Sequence, residues 1–331
     1  MVEHGANVNK SGTNGFTPLT MAIYRNNEKI LKYLIDHFAN VNKMDNNGWT
    51  PLITACQYRN IKLIKLLIDH GANINLRSTR NDIFTSLTTP LTFSCYYQFH
   101  DVVELLVDHG ADVNQVGYKG HTPLIIACEK GDEVLVKYLI DHGADVNQVG
   151  DYGNTALIVA CEKGNKVLVK YLIDHGADVN KVGNYGNTAL IIACDKGNEI
   201  LVKYLIEHGA DVNKEGNGNT PISRACKNNH DIIMKYLIEH GAKININKRG
   251  HSTLLINACE NNNENMIKYL VKYGADVNDS NDSGTTPLIS LCSSGNFDMI
   301  KYLVKHGADV NKGEDYKYYK WKRYHFINYS L

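Results

Sequence analysis

Between Thr122 and Asn147 the chain carries two apolar patterns in succession. The first, PLIIAC at 123–128, is unbroken and mostly small. The second, VLVKYLI at 134–140, spaces Leu135, Val136, Leu139 and Ile140 so that they share one helical face. Gly131 separates the two runs, and Gly143 follows His142 where a left-handed residue ends a helix. Thr122 is an N-cap residue and Pro123 suits a first helical turn, where no amide is needed. Asp132 can cap the second run, and Glu133 favours its positive end. The pattern predicts two short helices, closed by an exposed turn over ADVN and the Gly-rich residues after it.

The same sentence is written nine times. Its opening threonine falls at 17, 50, 89, 122, 155, 188, 220, 253 and 286, with spacings of 33, 39, 33, 33, 33, 32, 33 and 33 residues. Units 122–154 and 155–187 agree at 27 of 33 positions. Helices of about two turns do not persist alone in water. Stacked pairs share a continuous core, which forces the period to stay constant. The repetition therefore predicts an all-α solenoid of helix–turn–helix units joined by turn fingers. It spans residues 1–312, with a half unit at the N-terminus and a tail at 313–331.

GWTPL at 48–52, GHTPL at 120–124 and HGADVN at 109–114, 142–147, 175–180, 208–213 and 306–311 resemble the signature of the ankyrin repeat family. The resemblance covers residues 1 to about 312. It implies turn tips and first helices that together present a concave face to a protein or peptide partner, without catalysis. It also implies that the Asn closing each D-V-N, such as Asn147 and Asn180, is a substrate type for asparaginyl hydroxylases. One departure is systematic. The family often has His after TPL to tie the turns, whereas this chain has Thr20, Ile53, Thr92, Ile125, Ile158, Ile191, Ser223, Ile256 and Ile289. Its turns need other contacts, or are softer.

Bulk properties remove several function classes. With 35 basic and 35 acidic residues the formal charge is zero, which gives no overall pull toward nucleic acid or an anionic membrane. No apolar run approaches the length of a membrane span, and MVEHGANVNK lacks the apolar core of a signal peptide. All eight cysteines hold one register: Cys56, Cys95, Cys128, Cys161, Cys194, Cys226, Cys259 and Cys292. Equivalent positions on neighbouring helices lie roughly 8–10 Å apart, too far for disulfides. None has the neighbours of a zinc site. Reduced, buried thiols suit the cytosol, with the nucleus as the alternative.

Candidate chemistry dissolves into the period. Nine of the 14 histidines, at 4, 37, 70, 109, 142, 175, 208, 240 and 306, close second helices, where a donor meets the helix C-terminus. Acid pairs such as Asp141 and Asp145 recur with the turns, and no phosphate-loop, nucleophile-elbow or zinc-protease motif occurs. No cofactor, metal or small-molecule substrate is expected. The Asn of D-V-N is expected to tie its turn through a side-chain hydrogen bond.

Function should lie where the period breaks or the outward letters change. The turn that leads into the third unit's helices is six residues longer, spanning LRSTRNDIFTSLT at 76–88, either a finger beside a binding face or a neutral insertion. The first unit lacks an obviously polar outer face, so the chain is either part of a longer array or covered there. The stretch 312–331 has five tyrosines, one tryptophan and five basic residues. It reads as a cap over the last unit or, alternatively, as a nucleic-acid-binding tail. Aromatic residues Phe16, Tyr24, Trp49, Tyr58, Tyr96 and Tyr97 mark the outward positions of the first three units, and Tyr118, Tyr152 and Tyr185 continue them. These nine are the expected protein-contacting residues.

Overall fold

The computed structural model describes residues 7–13, 15–79, 88–150, 153–183, 186–245 and 253–312. It divides into two compact units, Met1–Asp178 and Val179–Leu331. Among the described residues the first holds five helix pairs: α1 Pro18–Tyr24 and α2 Glu28–Asp36, α3 Pro51–Gln57 and α4 Ile61–Asp69, α5 Pro90–Tyr96 and α6 His100–Asp108, α7 Pro123–Lys130 and α8 Glu133–Asp141, α9 Ala156–Glu162 and α10 Lys166–Asp174. The described residues of the second hold four: α11 Ala189–Asp195 and α12 Glu199–Glu207, α13 Pro221–Lys227 and α14 Asp231–Glu239, α15 Leu254–Glu260 and α16 Glu264–Lys272, α17 Pro287–Ser294 and α18 Phe297–Lys305. Among the described residues there is no strand, only an isolated bridge between Gly216 and Asn219. The fold class is the all-α repeat solenoid that the period predicts.

Local chemistry sets the helix boundaries. In every pair the opening threonine caps the first helix; Thr122 Oγ1, for example, accepts the Ile125 amide at 3.2 Å. Asp132 caps α8 by accepting the Leu135 amide at 3.0 Å. Each such cap contributes about 1 kcal/mol. Gly131 sits at φ +69° after α7, and in the first three pairs Asn26, Arg59 and Gln98 hold the same left-handed place. The apolar runs then go inside. Leu124, Ile125, Ile126, Ala127 and Cys128 of α7 are buried, as are Leu135, Val136 and Leu139 of α8, while Ile140 is half-buried. A fully buried leucine or isoleucine contributes about 1.5–3 kcal/mol, so stacking rather than helix propensity holds these short helices.

Seven of the eight cysteines are buried, and none is in a disulfide. Cys226 shows what covers them: its Sγ lies 3.2 Å from both the Leu254 carbonyl and the Met266 Sδ of the following pair. Cys292 is an exception to the expected burial, being only partly covered. It lies in the last described pair, with no later helix pair described against it.

Two ladders hold the turns. The helix-closing histidines turn back on their own helices: His142 Nδ1 lies 2.8 Å from the Tyr138 carbonyl and its ring stacks on Tyr138 at 4.0 Å. The same pair forms between Tyr171 and His175 and between Tyr236 and His240. The asparagines do something other than expected. The turn's own side-chain bond comes from Asp145, whose Oδ1 accepts the Asn147 amide at 2.8 Å. Asn147 instead reaches the next repeat, donating to the Gly176 carbonyl at 2.9 Å and accepting the Asp178 amide at 2.7 Å. Asn114 makes the same two bonds to Gly143 and Asp145, and Asn180, in the second unit, to Gly209 and Asp211. This bidentate rung joins successive turns in a chain that lacks the family's histidine after TPL. Where that position carries a hydroxyl, at Thr20, Thr92 and Ser223, it closes a capping box with the opening threonine.

Candidate protein-binding face

The first unit of the structure gathers seven of the nine aromatic residues expected from sequence, Phe16, Tyr24, Trp49, Tyr58, Tyr96, Tyr97 and Tyr118, into two neighbouring groups. Phe16 and Trp49 stand at the bases of the first two turn fingers, each just after a left-handed glycine, Gly15 at φ +75° and Gly48 at φ +70°. The fingers pack closely: Asn46 Nδ2 donates to the Thr13 carbonyl at 2.9 Å, and a side chain at Gly15 would collide with Asn46. Tyr24 ends α1, and Tyr58 is the C-cap of α3. Their rings meet edge to face at 5.7 Å and remain 51% and 43% exposed. Phe16, Tyr24, Trp49 and Tyr58 together wall a cavity of about 350 Å³, with Asp45 and Gln57 supplying polar groups. Burial pushes the Tyr58 hydroxyl up from its ordinary range, with Tyr24 adding to the effect.

The second group runs from Trp49 along α5. Trp49 meets Phe93 edge to face at 5.6 Å, Phe93 meets Tyr97 at 4.7 Å, and Tyr97 stacks on Phe99 at 5.7 Å. Tyr96 touches Tyr97 at 5.1 Å and Tyr118 at 4.3 Å, and the Lys130 ammonium lies 3.5 Å above the Tyr96 ring. Tyr97 is 52% exposed.

The outward expectation does not hold for Tyr118, which is 8% exposed. Gly117 has no side chain to keep the loop off Thr92, and the following 3-10 turn, Tyr118–Gly120, rolls Tyr118 beneath Tyr96. Its backbone amide points to Thr92 Oγ1 at 3.4 Å. Burial, and then its hydrogen bond with Tyr96, hold the Tyr118 hydroxyl well above the usual phenol range. Tyr96 shifts the other way, first because Tyr118 hydrogen-bonds to it and then because Lys130 is close. Tyr118 thus supports the face from below. Tyr152 and Tyr185 lie outside the described residues, as do the middle of the insertion, 80–87, and the tail, 313–331. The described ends of the insertion are pinned: the Ser78 amide donates to the Thr88 carbonyl at 2.8 Å, and the Thr79 amide to the Gly48 carbonyl at 3.2 Å, beside Trp49.

Three participants were not singled out from sequence. Phe93 is 6% exposed and links the two groups. Its signal was present, since it takes the register that Ile126, Val159 and Ile192 fill in later units. Phe99 stands where every other second helix except α14, which has His230, is capped by Asn or Asp, and its helix has no side-chain cap. Asp45 was hidden because it looks like any turn aspartate; its Oδ1 accepts the amides of Asn47 and Trp49 at 2.8 and 3.0 Å.

No group of three or more His, Cys, Asp or Glu among the described residues is placed to hold a metal ion. No described helix is long and apolar enough to cross a membrane. No curated protein matches the chain. The family model for ankyrin repeats in groups of three matches it at residues 1–78, 79–150, 94–183, 135–216, 179–248, 213–281 and 246–314. The capped helix pairs, the turn fingers between them and this match over residues 1–314 agree, and the chain belongs to the ankyrin repeat family, whose repeats generally mediate protein–protein interaction.

Proposed function

We propose that this chain is a non-catalytic recognition module that captures a protein or peptide on the face carrying the finger bases and first-helix ends of its first three repeats. The observation that carries the reading is the group of exposed rings: Tyr24 and Tyr58, which with Phe16 and Trp49 surround one cavity, and Tyr97 in the neighbouring group. Rigid aromatic side chains lose little conformational freedom on contact and dominate interface energetics, at about 2 kcal/mol or more for each hot spot. Here they are already braced by one another and by Phe93, so a partner meets a surface that needs little ordering. Buried, unpaired thiols suit action in the cytosol or nucleus.

The test compares two variants in a pull-down, with helix content followed by circular dichroism. Replacing Trp49, Tyr58 and Tyr96 together with Ala should abolish partner capture and leave the helices. Replacing Tyr152 and Tyr185 with Ala should matter less. The opposite ranking would misplace the face, and a partner indifferent to both would direct attention to the tail.

A further inference from the structure

We propose that the cavity between the first two fingers is a cation-binding cage that takes the alkylammonium head of a lysine side chain in a peptide partner. The proposal rests on the reading of this face as a protein-binding surface and names the anchor it accepts. Four aromatic residues wall the space: Phe16 and Trp49 from the fingers, Tyr24 and Tyr58 from the helix ends. Tyr24 and Tyr58 touch edge to face, and Trp49 is braced by Phe93, which does not itself line the cavity. The faces of such rings carry negative potential and attract cations within about 6 Å. Asp45 adds a formal negative charge to the same lining, and with Oδ1 engaged by two backbone amides its carboxylate is fixed in place. At about 350 Å³ the cavity admits one extended side chain and lies near the lower end, about 300 Å³, of ligand pockets generally.

The molecule already uses this chemistry on the same face. Lys130 lies 3.5 Å over Tyr96, Arg59 lies 5.5 Å over Phe99, and Arg25 lies 5.8 Å from the Tyr24 ring centroid. Lys130 on Tyr96 is an internal replica of the proposed contact. Arg25 is a cation beside one wall of the cage, Tyr24, at the outer limit of useful attraction. It competes with an incoming ammonium, so removing its charge should strengthen binding. Methylation of the incoming ammonium should also strengthen it, because a more weakly hydrated cation gives up less water to reach aromatic faces.

The test measures fluorescence anisotropy of a labelled five-residue peptide, Gly-Ser-Lys-Ser-Gly, with the full chain. Matched peptides carry trimethyl-lysine or neutral norleucine at the centre, and free tetramethylammonium serves as a competitor. The lysine peptide should bind saturably, the trimethyl form at least as tightly, and the norleucine form about tenfold or more weaker. Asp45→Asn, which keeps the turn's acceptor oxygen, and Trp49→Leu should each weaken the lysine peptide severalfold, and Arg25→Gln should tighten it. Equal binding of norleucine would overturn the cage while leaving an apolar protein-binding face. Tetramethylammonium binding as tightly as the peptides would reassign the cavity to a free ammonium ligand and overturn the side-chain proposal. No saturable binding of any probe, with partner capture still lost in the aromatic triple variant, would overturn the cage alone.

Discussion

Replacing Asn147 with Ala removes one rung of the asparagine ladder and nothing else of size. The wild-type side chain donates to the Gly176 carbonyl at 2.9 Å and accepts the Asp178 amide at 2.7 Å. A neutral hydrogen bond contributes about 0.5–1.5 kcal/mol net. Both partners are exposed, so water partly replaces the lost bonds and the sum falls to about 1–2 kcal/mol. Asn147→Asp keeps the acceptor but sets a carboxylate oxygen against the Gly176 carbonyl, so it should cost at least as much. Urea unfolding followed by circular dichroism gives the global change. Amide hydrogen exchange gives the local one: protection of the Asp178 amide should fall by about a factor of ten. The Asn73 amide, held by the separate rung from Asn42 at 2.7 Å, should not change. If Asp178 exchanges at its original rate in the Ala variant, or if Asn73 is deprotected as much as Asp178, the rung does not join neighbouring repeats.

Three further outcomes follow from the geometry. Thr155→Val should cost about 1 kcal/mol by removing the cap on the Ile158 amide, read as a shift in the urea midpoint. Burial pushes the thiols of Cys56, Cys128 and Cys226 from 9.0 to about 12, so they stay protonated in the fold while the unfolded chain ionises. Their contribution to stability is complete below pH 9 and falls by about 1.4 kcal/mol per thiol per pH unit as pH rises from about 9 to 12; alkaline unfolding curves should steepen there and flatten when these positions are Ala. Asp132→Ala should cost about 2–3 kcal/mol against about 1 for Asn165→Ala, because Asp132 caps α8 and also holds His100 Nε2 at 2.6 Å and Gln98 at 3.0 Å. Burial opposes the charge of Asp132, but His100, the Leu135 amide and Gln98 outweigh it and hold the carboxyl below its ordinary range. Its advantage over Asn165 is therefore present above the ordinary carboxylate value and is lost as pH falls through the lowered one; chemical denaturation from neutral to acid pH checks this.

The opening threonines, the glycines after His and the apolar runs were legible because each acts within a few residues of its own position. A cap reaches three residues along the chain, and a helical face repeats every three or four. Contacts made one repeat away were harder to read. Asn147 looks like a turn residue in a single unit, and only the stacking of repeats brings Gly176 and Asp178 to it. Tyr118 occupies an outward register, yet Gly117 and Thr92, 25 positions apart in sequence, together decide that it goes inside. The aromatic residues of the first three units were visible as departures from the repeat. That Phe93 would join them, and that Asp45 would face the same cavity, depended on which side chains neighbouring units bring together.

The constant period has a mechanical consequence. Because each rung links a turn only to the next one, tension should break the links singly, so a chain pulled in a force instrument should yield in steps. A released 33-residue unit lengthens by about 110 Å at full extension. The 39-residue unit beginning at Thr50 lengthens by about 130 Å. One long step among regular ones would therefore report when the segment beside Trp49 lets go. A bound partner that braces that segment would show itself as a higher force on that step and no other.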